Sequence, residues 1–107
     1  MIKPMMYDSI ELLVDLPEHN LRAGMQGAIV HQYDEQSFEV EFANEDGETL
    51  ALCPLTLEQF IVIWQAESEQ AVSVIDQVGQ IVARLPQDPQ KQLLEFARYL
   101  SLRNVKI

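Results

Sequence analysis

The sequence contains few of the residues that most often carry redox, metal or catalytic chemistry. Cys53 is the only cysteine, and His19 and His31 are the only histidines, which excludes an internal disulfide and a cysteine-based metal cluster. No apolar run approaches the roughly 20 residues that are needed to cross a bilayer. The N-terminus also lacks the basic-then-apolar pattern of a signal peptide. We therefore expect a cytoplasmic protein.

Lysine and arginine are also scarce, and they are unevenly placed. The chain has seven of them against 17 acidic residues, for a net charge of −10. All of this excess lies in residues 1–66, where Lys3 and Arg22 are the only bases, while the charges of residues 67–107 cancel. Nucleic acids and anionic membranes bind proteins largely through Lys and Arg. The charge therefore argues against both and favours a basic protein partner, although surplus acid also serves simply to keep a small protein soluble.

Short strands separated by turns account for the first part of the chain. The clearest is the third, where Phe38, Val40 and Phe42 alternate with Glu39 and Glu41, so one side is buried and the other carries acid. The five predicted strands cover 10–14, 28–33, 38–43, 48–53 and 59–64. Five short strands in succession predict a small closed β-barrel, which removes exposed sheet edges.

Two amphipathic helices are predicted after residue 66, where the apolar period changes from two to about 3.6. Ser68 is the predicted N-cap of the first helix. Pro86 interrupts the pattern, and a second helix begins with Asp88 as its cap and Pro89 at its first position. A short turn between two helices predicts an antiparallel hairpin. The expected fold is therefore α+β, with a five-stranded barrel at 1–66 and a two-helix hairpin at 67–107.

The apolar stripes of this hairpin are too large for it to cover alone. We expect them to pack on the barrel as an intramolecular core, on a second copy as a homodimer, or on a partner. The residues of the oligomer or partner helix face are Val74, Ile75, Val78, Ile81, Val82, Leu93, Phe96 and Leu100.

The acidic side of the third strand and the turn after it form the candidate partner-binding surface. Its residues are Glu39, Glu41, Glu45, Asp46 and Glu48. Acids at this density repel one another, and a basic protein partner would relieve that repulsion. The alternative is the solvated outer side of the barrel.

Catalysis and metal binding are not expected. His19 and His31 have no zinc-site spacing, and the lone Cys53 has no basic neighbour in sequence to activate it. The segment 44–48 does not match a calcium-binding loop. We predict no cofactor, no bound metal and no enzyme activity.

Three motifs carry a family resemblance: Asp15-Leu16-Pro17-Glu18, Gly24-Met25-Gln26-Gly27 and Glu39-Val40-Glu41-Phe42. Over about residues 7–64 the chain resembles the bacterial domain-of-unknown-function family 4926, and the resemblance implies an SH3-like barrel. It transfers no catalytic residue. Residues 85–100 follow the pattern L-P-x-x-x-Q-x-x-h-h-x-F-h-x-x-L, where h is apolar, and are similar to short bacterial proteins associated with toxin–antitoxin operons.

The expected function is that of a small acidic protein-binding module, antitoxin-like, which neutralises or regulates a basic protein. The alternative is a structural protein that dimerises through its helical hairpin. An enzyme or metal protein that uses His19, His31 or Cys53 is the third hypothesis.

Overall fold

An antiparallel sheet of six strands followed by two helices makes up the chain, of which the computed structural model describes residues 2–105. The strands are β1 (Ser9–Leu12), β2 (Gln26–Gln32), β3 (Ser37–Ala43), β4 (Thr49–Thr56), β5 (Phe60–Gln65) and β6 (Gln70–Ala71), and the helices are α1 (Val74–Arg84) and α2 (Gln87–Arg103). Single 3₁₀ turns at Pro17–His19 and Leu57–Gln59 connect strands. The α+β class is confirmed.

The sheet has the strand order β4-β3-β2-β1-β5-β6 and is open. The predicted closed barrel of five strands is wrong, because within residues 2–105 the end strands β4 and β6 each pair on one side only. The sixth strand was not foreseen, since two residues are too few for an alternating pattern to be recognised. The arrangement is consistent with the SH3-like fold that the family resemblance implies.

The core lies on the inner side of this sheet, as the alternation in β3 predicts. Phe38, Val40 and Phe42 are buried, whereas Glu39 and Glu41 lie on the other side. The other buried apolar residues of the cluster are Ile10, Leu12, Leu21, Ile29, Cys53, Leu55, Phe60, Val62 and Val72. Burial of these side chains is the main source of the stability of the sheet.

A buried carboxylate ties the segment before β1 to the end of β5. Asp8 is 2% exposed, and its two oxygens accept hydrogen bonds from the backbone N–H of Met5 at 3.0 Å and of Ala66 at 2.9 Å. Hydrogen bonds to a charged acceptor are stronger than neutral ones. Asp8 thereby joins two segments that are 58 residues apart.

The two helices begin at different residues from those predicted. Ser73, not Ser68, is the N-cap of α1, and its side chain accepts from the N–H of Asp76 at 3.1 Å. The helix cannot begin earlier, because Gln70 and Ala71 pair with β5 as strand β6. Asp88 lies in the first turn of α2 rather than at its cap, which is Pro86. The succession of two helices joined by a short turn is confirmed.

Candidate functional site

Helix α1 packs along β5 through its polar side, and Gln80 is the centre of that contact. Gln80 is 4% exposed. Its Oε1 accepts from the backbone N–H of Val62 at 2.7 Å, and its Nε2 donates to the carbonyl of the same residue at 2.8 Å. Since β6 pairs with β5 only at Trp64 and Gln65, the Gln80 side chain supplies the donor and acceptor that a longer β6 would have offered Val62.

Arg84 makes the corresponding contact one turn further along α1. Its Nη1 donates to the carbonyls of Leu57 and Phe60, and its guanidinium lies 5.8 Å from the centre of the Phe60 ring. Burial lowers the pKa of Arg84, while the nearby charge of Glu58 acts in the opposite direction. Gln77 completes the row by donating to the carbonyl of Val72 at 3.0 Å.

The apolar side of α1 consequently points to solvent. The exposed fraction is 75% for Val74, 82% for Ile75 and 45% for Val78, while Ile81 and Val82 are half-buried. The interpretation of this stripe as an intramolecular core is therefore wrong for Val74, Ile75 and Val78. The physical reason is that a sheet edge presents backbone N–H and C=O groups, which polar side chains satisfy and apolar ones do not.

Helix α2 is exposed along its whole length. Its 17 residues include no buried one. Phe96 is 56% exposed and Leu100 is 41% exposed, and Leu93 is half-buried. At its start, Gln90 donates from Nε2 to the carbonyls of Val82 and Leu85, which fixes α2 to the last turn of α1. All eight residues predicted for the oligomer or partner helix face thus lie on elements that leave them partly or fully accessible.

The structure brings the five residues of the acidic surface (Glu39, Glu41, Glu45, Asp46 and Glu48) to the β3–β4 hairpin. Glu39 and Glu41 are on the outer side of β3, and the other three belong to the turn. Asn44 builds that turn, because its Oδ1 accepts from the N–H of both Asp46 and Glu48. No lysine or arginine occurs between Arg22 and Arg84, so the chain provides this surface with little positive charge of its own.

Glu39 and Glu41 are both held by hydroxyl groups of the chain, Glu41 by Thr49 at 2.8 Å, and Glu39 also has an unpartnered oxygen. Its Oε2 accepts from the hydroxyl of Tyr33 at 2.7 Å, and this hydrogen bond is the main cause of a raised pKa of Tyr33. Its other oxygen, Oε1, is buried and has no hydrogen-bond partner within residues 2–105. Buried polar atoms of folded proteins nearly always have a partner. Glu39 therefore retains an unused acceptor.

Sequence reasoning missed the apolar neighbours of the acidic surface. Leu50 and Leu52 are both 54% exposed and lie on β4, an end strand of the sheet. Leu52 stands opposite Glu41 in the register of the two strands. The predicted strand at 48–53 ends before Leu55. Only the whole of β4 shows that Cys53 and Leu55 point inward, whereas Leu50 and Leu52 point outward.

The residues considered for catalysis are dispersed over three elements. His19 ends the first 3₁₀ turn, His31 is exposed on β2 with its ring 4.8 Å from that of Tyr33, and Cys53 is buried on β4. In the described part of the chain, no three His, Cys, Asp or Glu side chains are placed to share a metal ion.

The thiol of Cys53 should be unreactive in the folded protein. Burial raises its pKa, and the charges of Glu39 and Glu18 add to that effect, while the thiolate is the reactive form. We expect Ellman's reagent to label native protein about 100-fold more slowly than protein in concentrated guanidinium chloride, since labelling requires local opening. Labelling of native protein at the denatured rate would contradict the burial of Cys53.

A groove of about 650 Å³ separates α1 from the N-terminal segment. Ile2, Pro4 and Gly79 contribute to its apolar lining. Of its polar lining side chains, Gln80 and Arg84 are already bonded to backbone groups, while Lys3, Glu35 and Asp76 supply its charge. A small-molecule site needs convergent polar groups that are free to orient a ligand, and Gln80 and Arg84 are not free to do so.

Comparison with known proteins assigns a family to the chain over most of the sheet. The sequence model of the family described as "Domain of unknown function (DUF4926)" matches residues 6–62, more than half of the chain, and the chain belongs to that family. The match ends within β5 and does not include α1 or α2. No curated protein and no solved structure matches the chain. Within residues 2–105, no helix has the length and apolarity to span a membrane.

Proposed function

We propose that this member of the DUF4926 family is a small acidic protein-binding module, whose acidic surface binds a basic protein partner. The observation that carries the proposal is the combination of acid and exposed apolar side chains on one strand pair: Glu39 and Glu41 on β3 beside Leu50 and Leu52 on β4. Interfaces typically join a desolvated apolar patch to complementary charge at its rim.

The chemistry of the partner follows from these groups. A lysine or arginine of the partner pairs with the carboxylate of Glu39, which turns outward on binding to bring the unpartnered Oε1 to the surface, and an apolar residue packs on the two leucines. In the antitoxin-like version of this function, the partner is a basic toxin whose active surface is masked, and both act in the cytoplasm. Nucleic acid and anionic membrane are disfavoured by the same charge.

The test is co-purification from the native host followed by titration of the protein that is recovered. We expect the Glu39→Gln/Glu41→Gln double variant to bind it about 10-fold more weakly, since two partly buried charge pairs contribute about 1–2 kcal/mol. Glu67→Gln/Glu69→Gln removes the same charge outside the acidic surface and should bind nearly normally. Equal weakening by both variants, or failure to recover any basic protein, would refute the proposal.

A second function, assembly through the helices, is favoured by a different observation. Val74, Ile75 and Val78 of α1 are exposed and no residue of α2 is buried, and exposed apolar side chains on neighbouring elements are typical of an interaction surface. In this function the chain is a structural protein that dimerises through its helical pair. Sedimentation velocity over micromolar concentrations distinguishes monomer from dimer.

A further inference from the structure

We propose that α2 pairs with the α2 of a second copy in an antiparallel arrangement, about a twofold axis that passes between Phe96 and Ala97. This inference rests on the assembly function proposed above and specifies its geometry.

The apolar positions of α2, which form its seam, are symmetric about the middle of the helix. Leu93, Phe96, Ala97 and Leu100 share one side of the helix, and the two leucines are equally distant from the midpoint between Phe96 and Ala97. Antiparallel pairing brings Leu93 against the second copy's Leu100 and the large Phe96 against the small Ala97. Such reciprocal contacts characterise a twofold interface. Parallel pairing would set Phe96 against Phe96 and Ala97 against Ala97, which crowds one level and leaves a gap at the next.

The charges in the middle of α2 lie away from this seam. Lys91, Glu95 and Arg98 are on the opposite side of the helix, so pairing buries none of these three. Arg103, seven residues after Phe96, lies at the end of the seam, with its guanidinium 5.8 Å from the centre of the Tyr99 ring. Repulsion between the two sheets also depends on the orientation of the helices, because residues 1–66 of each copy hold an excess of ten acids. A parallel pair places both sheets at the same end. An antiparallel pair separates them by a helix about 26 Å long, well beyond the Debye length of about 8 Å at physiological salt.

The helix also needs a partner for its own stability. Isolated helices shorter than roughly 12–15 residues are marginal in water, and somewhat longer ones gain most of their stability from packing. With 17 residues and none of them buried, α2 gains little from its own chain. A second α2 with the same apolar seam is the occupant that satisfies both helices at once.

The first experiment measures dimerisation of the full chain by sedimentation. Phe96→Asp places a charge in the seam and is expected to weaken the dimer about 100-fold, as hot-spot losses do. Leu102→Asp makes the same kind of change on the other side of α2, at a residue 73% exposed, and should leave the dimer unchanged. The helical circular dichroism signal of Phe96→Asp should fall as its dimer dissociates, while the fluorescence of Trp64 reports that the sheet remains folded.

The second experiment determines orientation with cysteine variants, which the buried Cys53 does not disturb. In the antiparallel pair, Leu93→Cys mixed with Leu100→Cys forms a disulfide between copies under oxidised glutathione, and neither variant does so alone. A parallel pair gives the reverse result, because cysteines with Cα atoms more than about 7 Å apart cannot be bridged.

Each outcome bears on one proposal. Mixed cross-linking with sensitivity to Phe96→Asp supports the antiparallel pair. Self cross-linking, or a dimer that Phe96→Asp does not weaken, overturns the geometry and leaves assembly standing. A monomer at all micromolar concentrations overturns both.

Discussion

Replacing Gln80 with leucine should lower the free energy of unfolding by about 2–5 kcal/mol, because two buried backbone groups lose their partners at about 1–3 kcal/mol each. These are the N–H and C=O of Val62, which the Gln80 amide bonds at 2.7 and 2.8 Å. Leucine fills a similar volume, so the loss is one of hydrogen bonds more than of packing. Urea unfolding followed by circular dichroism measures the change.

A graded control separates this effect from a general cost of altering α1. Gln77 is half-buried and makes a single hydrogen bond, to the carbonyl of Val72, so Gln77→Leu should cost only about 0.5–1.5 kcal/mol. Hydrogen exchange of the Val62 amide should accelerate in Gln80→Leu and not in Gln77→Leu. Equal stability of the two variants would show that the Gln80 contact does not hold α1 to β5.

Gly27→Ala should be the second strongly destabilising change, by about 3 kcal/mol, near the upper end of the cost of overpacking. A Cβ at Gly27 would lie 2.8 Å from the carbonyl oxygen of Glu41 and 2.8 Å from Cγ1 of Val40. The carbonyl belongs to the backbone of β3, which is paired with β2. It can move only if the two strands separate.

The matched control is the same substitution in α1. A Cβ at Gly79 meets no atom within 4 Å, and alanine in a helix interior is favoured over glycine by about 1 kcal/mol. Gly79→Ala should therefore raise the urea midpoint, whereas Gly27→Ala lowers it. A loss of stability in Gly79→Ala, or none in Gly27→Ala, would contradict the packing described for these glycines.

The alternation of apolar and polar residues made the interior of the sheet predictable from the sequence. The strands at the open ends of the sheet were not predictable in this way. Phe38, Val40 and Phe42 were predicted to be buried and are. The strand at Gln70 and Ala71 has no apolar pattern, because it is held only by pairing with Trp64 and Gln65. That unforeseen pairing also moved the start of α1 from Ser68 to Ser73, since the backbone of a residue cannot belong to a strand and a helix at once.

The orientation of α1 was unpredictable for a more general reason. An apolar stripe normally marks the side of a helix that faces the core. Here α1 covers the free backbone edge of β5. Nothing in the sequence distinguishes Gln80 and Arg84, which bind that edge, from polar residues that face solvent. The acidic residues of β3 were recognised as a surface, whereas Leu50 and Leu52 were not, because their exposure depends on which side of β4 faces the core.

The polar contact between α1 and β5 also covers a strand whose composition favours aggregation. The covered strand, Phe60–Gln65, reads Phe-Ile-Val-Ile-Trp-Gln, six residues without charge, proline or glycine. Segments of this composition form steric zippers and fibrils when their backbone edge is free. Gln80 and Arg84 of α1 occupy that edge with side chains that cannot propagate a sheet, so we expect variants that detach α1 to aggregate more readily than the unchanged protein.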